Sequence, residues 1–127
     1  MEWTEAEQRI REQIVPGTGV LKCNGVGRRE VISNRPDRIA MRTGVKTAQT
    51  KTVSYAMLKH AFEVLQTTGR FDSADFRRKF QKEYIAAPCR YSMTGGVLVE
   101  VGVARLEPGF SDRSCRYIAV RSEEHTF

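Results

Sequence analysis

Two histidines, three cysteines and fifteen carboxylates are the side chains of this 127-residue chain best suited to covalent or metal chemistry. Their spacing argues against it. His60 falls in a helical run and His125 in the C-terminal tail, and neither has a partner at a spacing diagnostic of general acid–base catalysis or metal binding. Cys23, Cys89 and Cys115 have no second Cys or His close by in the sequence, so neither a zinc site nor a disulfide framework is expected. An odd number of scattered cysteines fits packing roles in a reducing compartment. Asp37 follows Pro36 as in some nuclease acidic sites, yet no Glu-x-Lys completes a metal cluster. The run GTGVLKCNGVG at 17–27 has neither the Walker spacing nor a strand–loop–helix context. The expectation is a protein without catalysis, cofactor or metal.

Charge is the stronger signal. The formal net charge is +6, and residues 22–51 carry Lys22, Arg28, Arg29, Arg35, Arg38, Arg42, Lys46 and Lys51 against only Glu30 and Asp37. That single stretch holds an excess equal to the charge of the whole chain. A polyanionic partner, most simply nucleic acid, follows from it. With 40% hydrophobic residues the chain can bury one modest core, so a single compact domain is expected. No segment approaches the ~20 apolar residues of a membrane span, and the charged MEWTEAEQRIREQ is no signal peptide. A soluble, cytoplasmic protein with no membrane partner is expected.

The elements that must position these charges are readable in outline. Thr4 and Glu7 have capping-box spacing, Ile10 and Ile14 share a face, and Pro16-Gly17 ends a helix placed at about 4–15. Its apolar face is thin and needs cover from the domain or from a second copy, which leaves a homodimer open. Residues 16–52 read as a glycine-rich, positively charged hairpin arm with β-like runs at 20–23, 30–33 and 38–42, where Ile39 and Met41 alternate with Arg38, Ala40 and Arg42. TGVKTAQTKT at 43–52 reads as a polar loop whose hydroxyls and lysines suit phosphate oxygens.

A helix follows a Thr52 or Ser54 cap, carries Leu58, Phe62 and Leu65 on one face, and stops at Gly69. The next is capped by Asp72 or Ser73. It buries Phe76, Phe80 and Tyr84 and turns Arg77, Arg78, Lys79 and Lys82 outward. In PCRYSMTGGVLVEVG the valines favour a strand, whereas Pro88 suits a first helical turn and Gly102 a stop. Two preceding helices and a returning strand pair, 103–106 and 115–120, favour a helix over 88–101. Gly95 and Gly96 then require a close crossing, since each costs about 1 kcal/mol in a helix interior.

Helix, helix, helix, strand, turn-rich EPGFSDRS loop, strand is an order that resembles the winged-helix form of the helix-turn-helix, over about residues 54–121. The fold class expected is therefore α+β, a winged helix-turn-helix preceded by an N-terminal helix and a basic β-hairpin arm. The resemblance implies a third helix in the major groove, with Arg90, Tyr91, Ser92 and Thr94 near the bases. It further implies Arg77, Arg78, Lys79 and Lys82 near phosphates and Arg113 and Arg116 on or beside the wing. Arg28, Arg29, Arg42, Lys46 and Lys51 of the arm complete the expected nucleic-acid-binding set.

That third helix has one arginine and two glycines. It suits close approach better than base reading, which moves the expected surface toward the arm. The leading expectation is a small regulator that contacts double-stranded DNA mainly through phosphates. The alternative is a winged-helix protein-interaction module, such as a regulator or inhibitor of a nucleic-acid enzyme, whose basic arm meets an acidic protein partner.

Overall fold

The computed structural model describes residues 1–43, 49–107 and 115–120. The chain is α+β, and its helices and strands form one connected hydrophobic core. Helix α1 (Trp3–Gln13) leads into an antiparallel meander of β1 (Gly19–Leu21), β2 (Arg28–Asn34), β3 (Arg38–Arg42) and β4 (Thr50–Ser54), paired in that order. Then come α2 (Tyr55–Thr68), β5 (Arg70–Phe71), α3 (Ser73–Ala86), α4 (Cys89–Glu100), β6 (Ala104–Leu106) and β7 (Tyr117–Ala119). The last three strands form a second antiparallel sheet in the order β5-β7-β6.

Alternation builds the meander. Ile39 and Met41 of β3 are fully buried while Arg38 and Arg42 are exposed. Val20, Val31 and Val53 extend the buried face across the other strands. The described residues of 16–52 are thus a layer of the core, not a projecting arm, because one side of the sheet is apolar and must be covered. The polar loop expected over 43–52 is also shorter than its composition suggests, since Thr50–Ser54 pairs along the whole of β3. Strand pairing supplies what the Thr- and Lys-rich sequence does not advertise. Residues 44–48 lie outside the described part.

Helix α1 is closed by its own chain. Ala6, Ile10 and Ile14 are at most 1% exposed, and Trp3 packs on Phe62 of α2 with ring centroids 5.7 Å apart. The face that left a homodimer open is therefore already covered. The N-cap is Glu2, without a side-chain bond, so the expected Thr4 cap lies inside the helix. At the other end, the Asn34 amide donates to the Ile10 and Ile14 carbonyls at 3.1 and 2.8 Å, and its oxygen accepts the Tyr55 hydroxyl at 2.6 Å. One residue at the end of β2 thereby caps α1 and fixes the start of α2.

The later helices follow their caps. Ser54 Oγ accepts from the Met57 amide, and Gly69 closes α2 at φ +85°, which only glycine adopts readily. Asp72 and Asp75 form a reciprocal capping box at the start of α3. Helix α4 is the centre of the molecule, with every residue from Tyr91 to Leu98 buried. It packs against β1, β4, α2, α3 and β6. The glycine pair makes this possible. A Cβ on Gly96 would sit 2.6 Å from the Leu21 carbonyl oxygen, and one on Gly95 would overlap the Tyr117 ring.

Substituting either glycine with alanine should destabilise the protein by about 1–3 kcal/mol, through overpacking that outweighs the helix propensity gained. Gly96→Ala should be the worse of the two, because backbone yields less than a ring. Urea unfolding checks both, and a variant as stable as the parent would mean that α4 does not approach β1 this closely.

Candidate functional site

The residues expected to read bases are not at the surface. Tyr91, Ser92 and Thr94 are 5%, 6% and 0% exposed. The Tyr91 hydroxyl donates to the Cys115 carbonyl at 2.7 Å, and Thr94 Oγ1 donates back to the Arg90 carbonyl at 2.7 Å. Arg90 is half-buried and donates to the carbonyls of Thr52 and Glu83, tying α4 to the middle of β4 and to the last turn of α3. These four positions hold the core together. Because the meander packs along α4, that helix cannot enter a groove as the winged-helix resemblance implied.

Among the cations expected to meet phosphate, those of the meander are mostly engaged. Arg28 pairs with Glu100 at 2.6 Å, Arg38 with Asp37 at 3.1 Å and Arg42 with Glu30 at 3.7 Å. Lys51 stands opposite Met41 in the register, which puts it at the half-buried edge of the inner face. Arg116 binds Glu107 beside the small sheet, which holds its pKa above the ordinary guanidinium value. Lys46 and Arg113 lie outside the described residues.

Helix α3 is different. Arg77, Arg78, Lys79 and Lys82 are all exposed, and among the described residues only Arg78 has a carboxylate partner, Asp75 at 3.1 Å. Arg77 lies over the Tyr84 ring at 5.3 Å. On the small sheet, Arg70 and Arg105 both stand opposite Ile118 in the strand register and are exposed. Sequence reading passed over these two because they occupy short strands with little pattern of their own.

Arg29 was expected on the surface and is the clearest departure. In β2 it shares the inward side with Val31, while Arg28, Glu30 and Ile32 face out. Its Nε and Nη1 are buried with no hydrogen-bond partner among the described residues. Burial lowers its pKa, opposed by the neighbouring Cys89 and Tyr117 side chains. Arg29 lines a cavity of about 470 Å³ whose wall also includes Lys22, Ser73, Tyr84, Cys89 and Ser92, and among the described residues no carboxylate. The turn between β1 and β2 shapes one side. Asn24 Oδ1 accepts from the Val26 and Gly27 amides, and Gly25 turns at φ +77°.

All three cysteines reach this cavity. Cys23 is joined to Cys115 by a disulfide, with Cα atoms 5.6 Å apart across a sequence separation of 92, and Cys89 is free. The expectation of no disulfide is corrected here, because folding brings together residues whose spacing in the chain carries no pairing signal. No cluster of His, Cys, Asp and Glu able to hold a metal occurs among the described residues, and no described helix is long and apolar enough to cross a membrane. His60 lies 3.0 Å from the Asp75 carbonyl and packs edge-on to Phe80, a structural position.

Comparison with family models, with curated proteins and with solved structures returns no match to this chain.

Two side chains allow direct tests. Tyr91→Phe should lower stability by roughly 1–2 kcal/mol in chemical unfolding, because the Cys115 carbonyl loses its donor in a buried place. For Asp75, burial opposes ionisation, but the Asp72 amide and the Arg78 guanidinium outweigh it and hold the carboxyl below its usual range. Its stabilising effect is therefore complete above the ordinary carboxylate pKa and is lost as pH falls through the lower folded-state value. Asp75→Asn should flatten the acid limb of the stability–pH curve below about pH 4, measured by thermal unfolding.

Proposed function

We propose that this chain is a non-enzymatic regulator that binds double-stranded DNA through its phosphates, with the outer face of α3 as the principal contact. The observation that carries this reading is the exposure of Arg77, Lys79 and Lys82 on one helix without ion pairs among the described residues. Cations without ion pairs, here Arg77 and Lys79 before and Lys82 after a break in helical geometry at Phe80, attract a polyanion at long range and release its counterions on contact. Arg70 and Arg105 on the small sheet add to that surface charge.

The order α2-β5-α3-α4-β6-β7, with strands arranged β5-β7-β6, supports a winged-helix reading of residues 54–121. This domain departs from the usual use of such a fold. Its third helix is enclosed, so contacts fall to α3 and to the sheet, and affinity is sequence-tolerant.

A second reading draws on the same enclosure. A winged helix whose groove-entering helix is covered by its own sheet can be a scaffold for protein contact, with the α3 cations meeting an acidic protein surface. Fluorescence anisotropy with a random duplex separates the two. Under the nucleic-acid reading, log affinity falls linearly with log salt by about 0.9 per phosphate contacted. Replacing Arg77, Lys79 and Lys82 together with alanine should reduce that slope by about 3. Binding that is absent at low salt, or indifferent to salt and to these substitutions, would reject DNA as the partner.

A further inference from the structure

We propose that the open cavity bordered by the β1–β2 turn, the two ends of α3 and the first turns of α4 is a binding site for a small organic phosphate monoester, with Arg29 as the principal contact. This does not rest on the nucleic-acid reading. Three observations converge on it. Arg29 lines the cavity, and its Nε and Nη1, sealed from solvent, have no hydrogen-bond partner among the described residues, so its partly buried charge is left without an answering group there. Lys22 supplies a second cation to the same wall, and among the described residues no carboxylate lines it. Ser73 brings a hydroxyl group and Ser92 one that already donates to the Cys89 carbonyl, while Tyr84 and Pro88 bring apolar surface.

Charge and size select the ligand class. Two cations facing one space match a dianion, and a phosphate monoester carries about two negative charges at neutral pH. A carboxylate would leave one cation unanswered. The planar guanidinium fork can hold two phosphate oxygens at once, which a lone ammonium cannot. A volume of about 470 Å³ exceeds what a bare phosphate needs and falls in the range of pockets that enclose small organic molecules. The ester group therefore has room for a ring to lie against Tyr84.

Helix α3 contributes position here, not dipole. Asp72 and Asp75 already occupy its N-terminus through their capping box. Selectivity rests on Arg29 and Lys22.

Isothermal titration at pH 7.5 of the full chain with phenyl phosphate and adenosine 5′-monophosphate, beside inorganic phosphate and benzoate, tests the assignment. At least one monoester should bind roughly tenfold or more tightly than either control, and Arg29→Met should weaken it roughly ten- to a hundredfold. Lys22→Ala should weaken it less. Without ligand, Arg29→Met should melt no lower than the parent, since it removes a buried charge that has no protein partner. Should that variant fail to fold, Arg29→Lys keeps a cation and loses the fork, and its affinity should still fall. The proposal is overturned if neither monoester binds the parent in the millimolar range, if both controls bind equally well, or if the folded Arg29 variant binds unchanged.

Discussion

Backbone against backbone at Gly96 and ring against backbone at Gly95 are the contacts on which the molecule is arranged. They let α4 lie directly on β1 and on Tyr117, so one helix reaches the meander and the small sheet together. A side chain at either glycine would push one layer away, and interiors packed at crystal-like density do not absorb such a shift. Several features follow from this closeness. Tyr91 reaches the Cys115 carbonyl, Arg90 bridges to β4 and to the last turn of α3, and the first turns of α4 become one wall of the cavity.

The same closeness redistributes the charge. Eight cations crowd residues 22–51 in the sequence, but folding pairs three of them with Glu100, Asp37 and Glu30 and turns Arg29 and Lys51 toward the inner side of the sheet. Paired surface ions are weak attractors, because the field of each is largely cancelled nearby. Helix α3 holds fewer cations and leaves more of their field open. Charge counted along the chain and charge available in space point to different surfaces.

Local signals were legible in the sequence where one residue decides the outcome. Ser54 and Asp72 cap where their hydroxyl and carboxylate suggest, Gly69 stops α2, and the crossing required by Gly95 and Gly96 is present. Non-local decisions were not legible. Thr4 has capping spacing, yet the helix begins earlier because Trp3 is drawn onto Phe62. Thr50–Ser54 looks like loop until β3 offers it a partner. Tyr91, Ser92 and Thr94 look presentable because nothing in PCRYSMTGG states that a sheet will cover it. Arg29 is intermediate. Its alternation with Val31 fits an inward position, whereas its charge fits an outward one.

The place of β1 also bears on how the chain reaches this state. It pairs along its edge with β2, but its inner side is covered by α4, which is made much later, and Arg9 likewise waits for the Val101 carbonyl across 92 positions. During synthesis the first sheet therefore leaves the ribosome with its valine-lined face uncovered. Such long-range closure slows folding and prolongs the exposure of apolar strand surface. The tight central crossing that stabilises the finished protein thus makes its nascent form dependent on protection until the last third of the chain arrives.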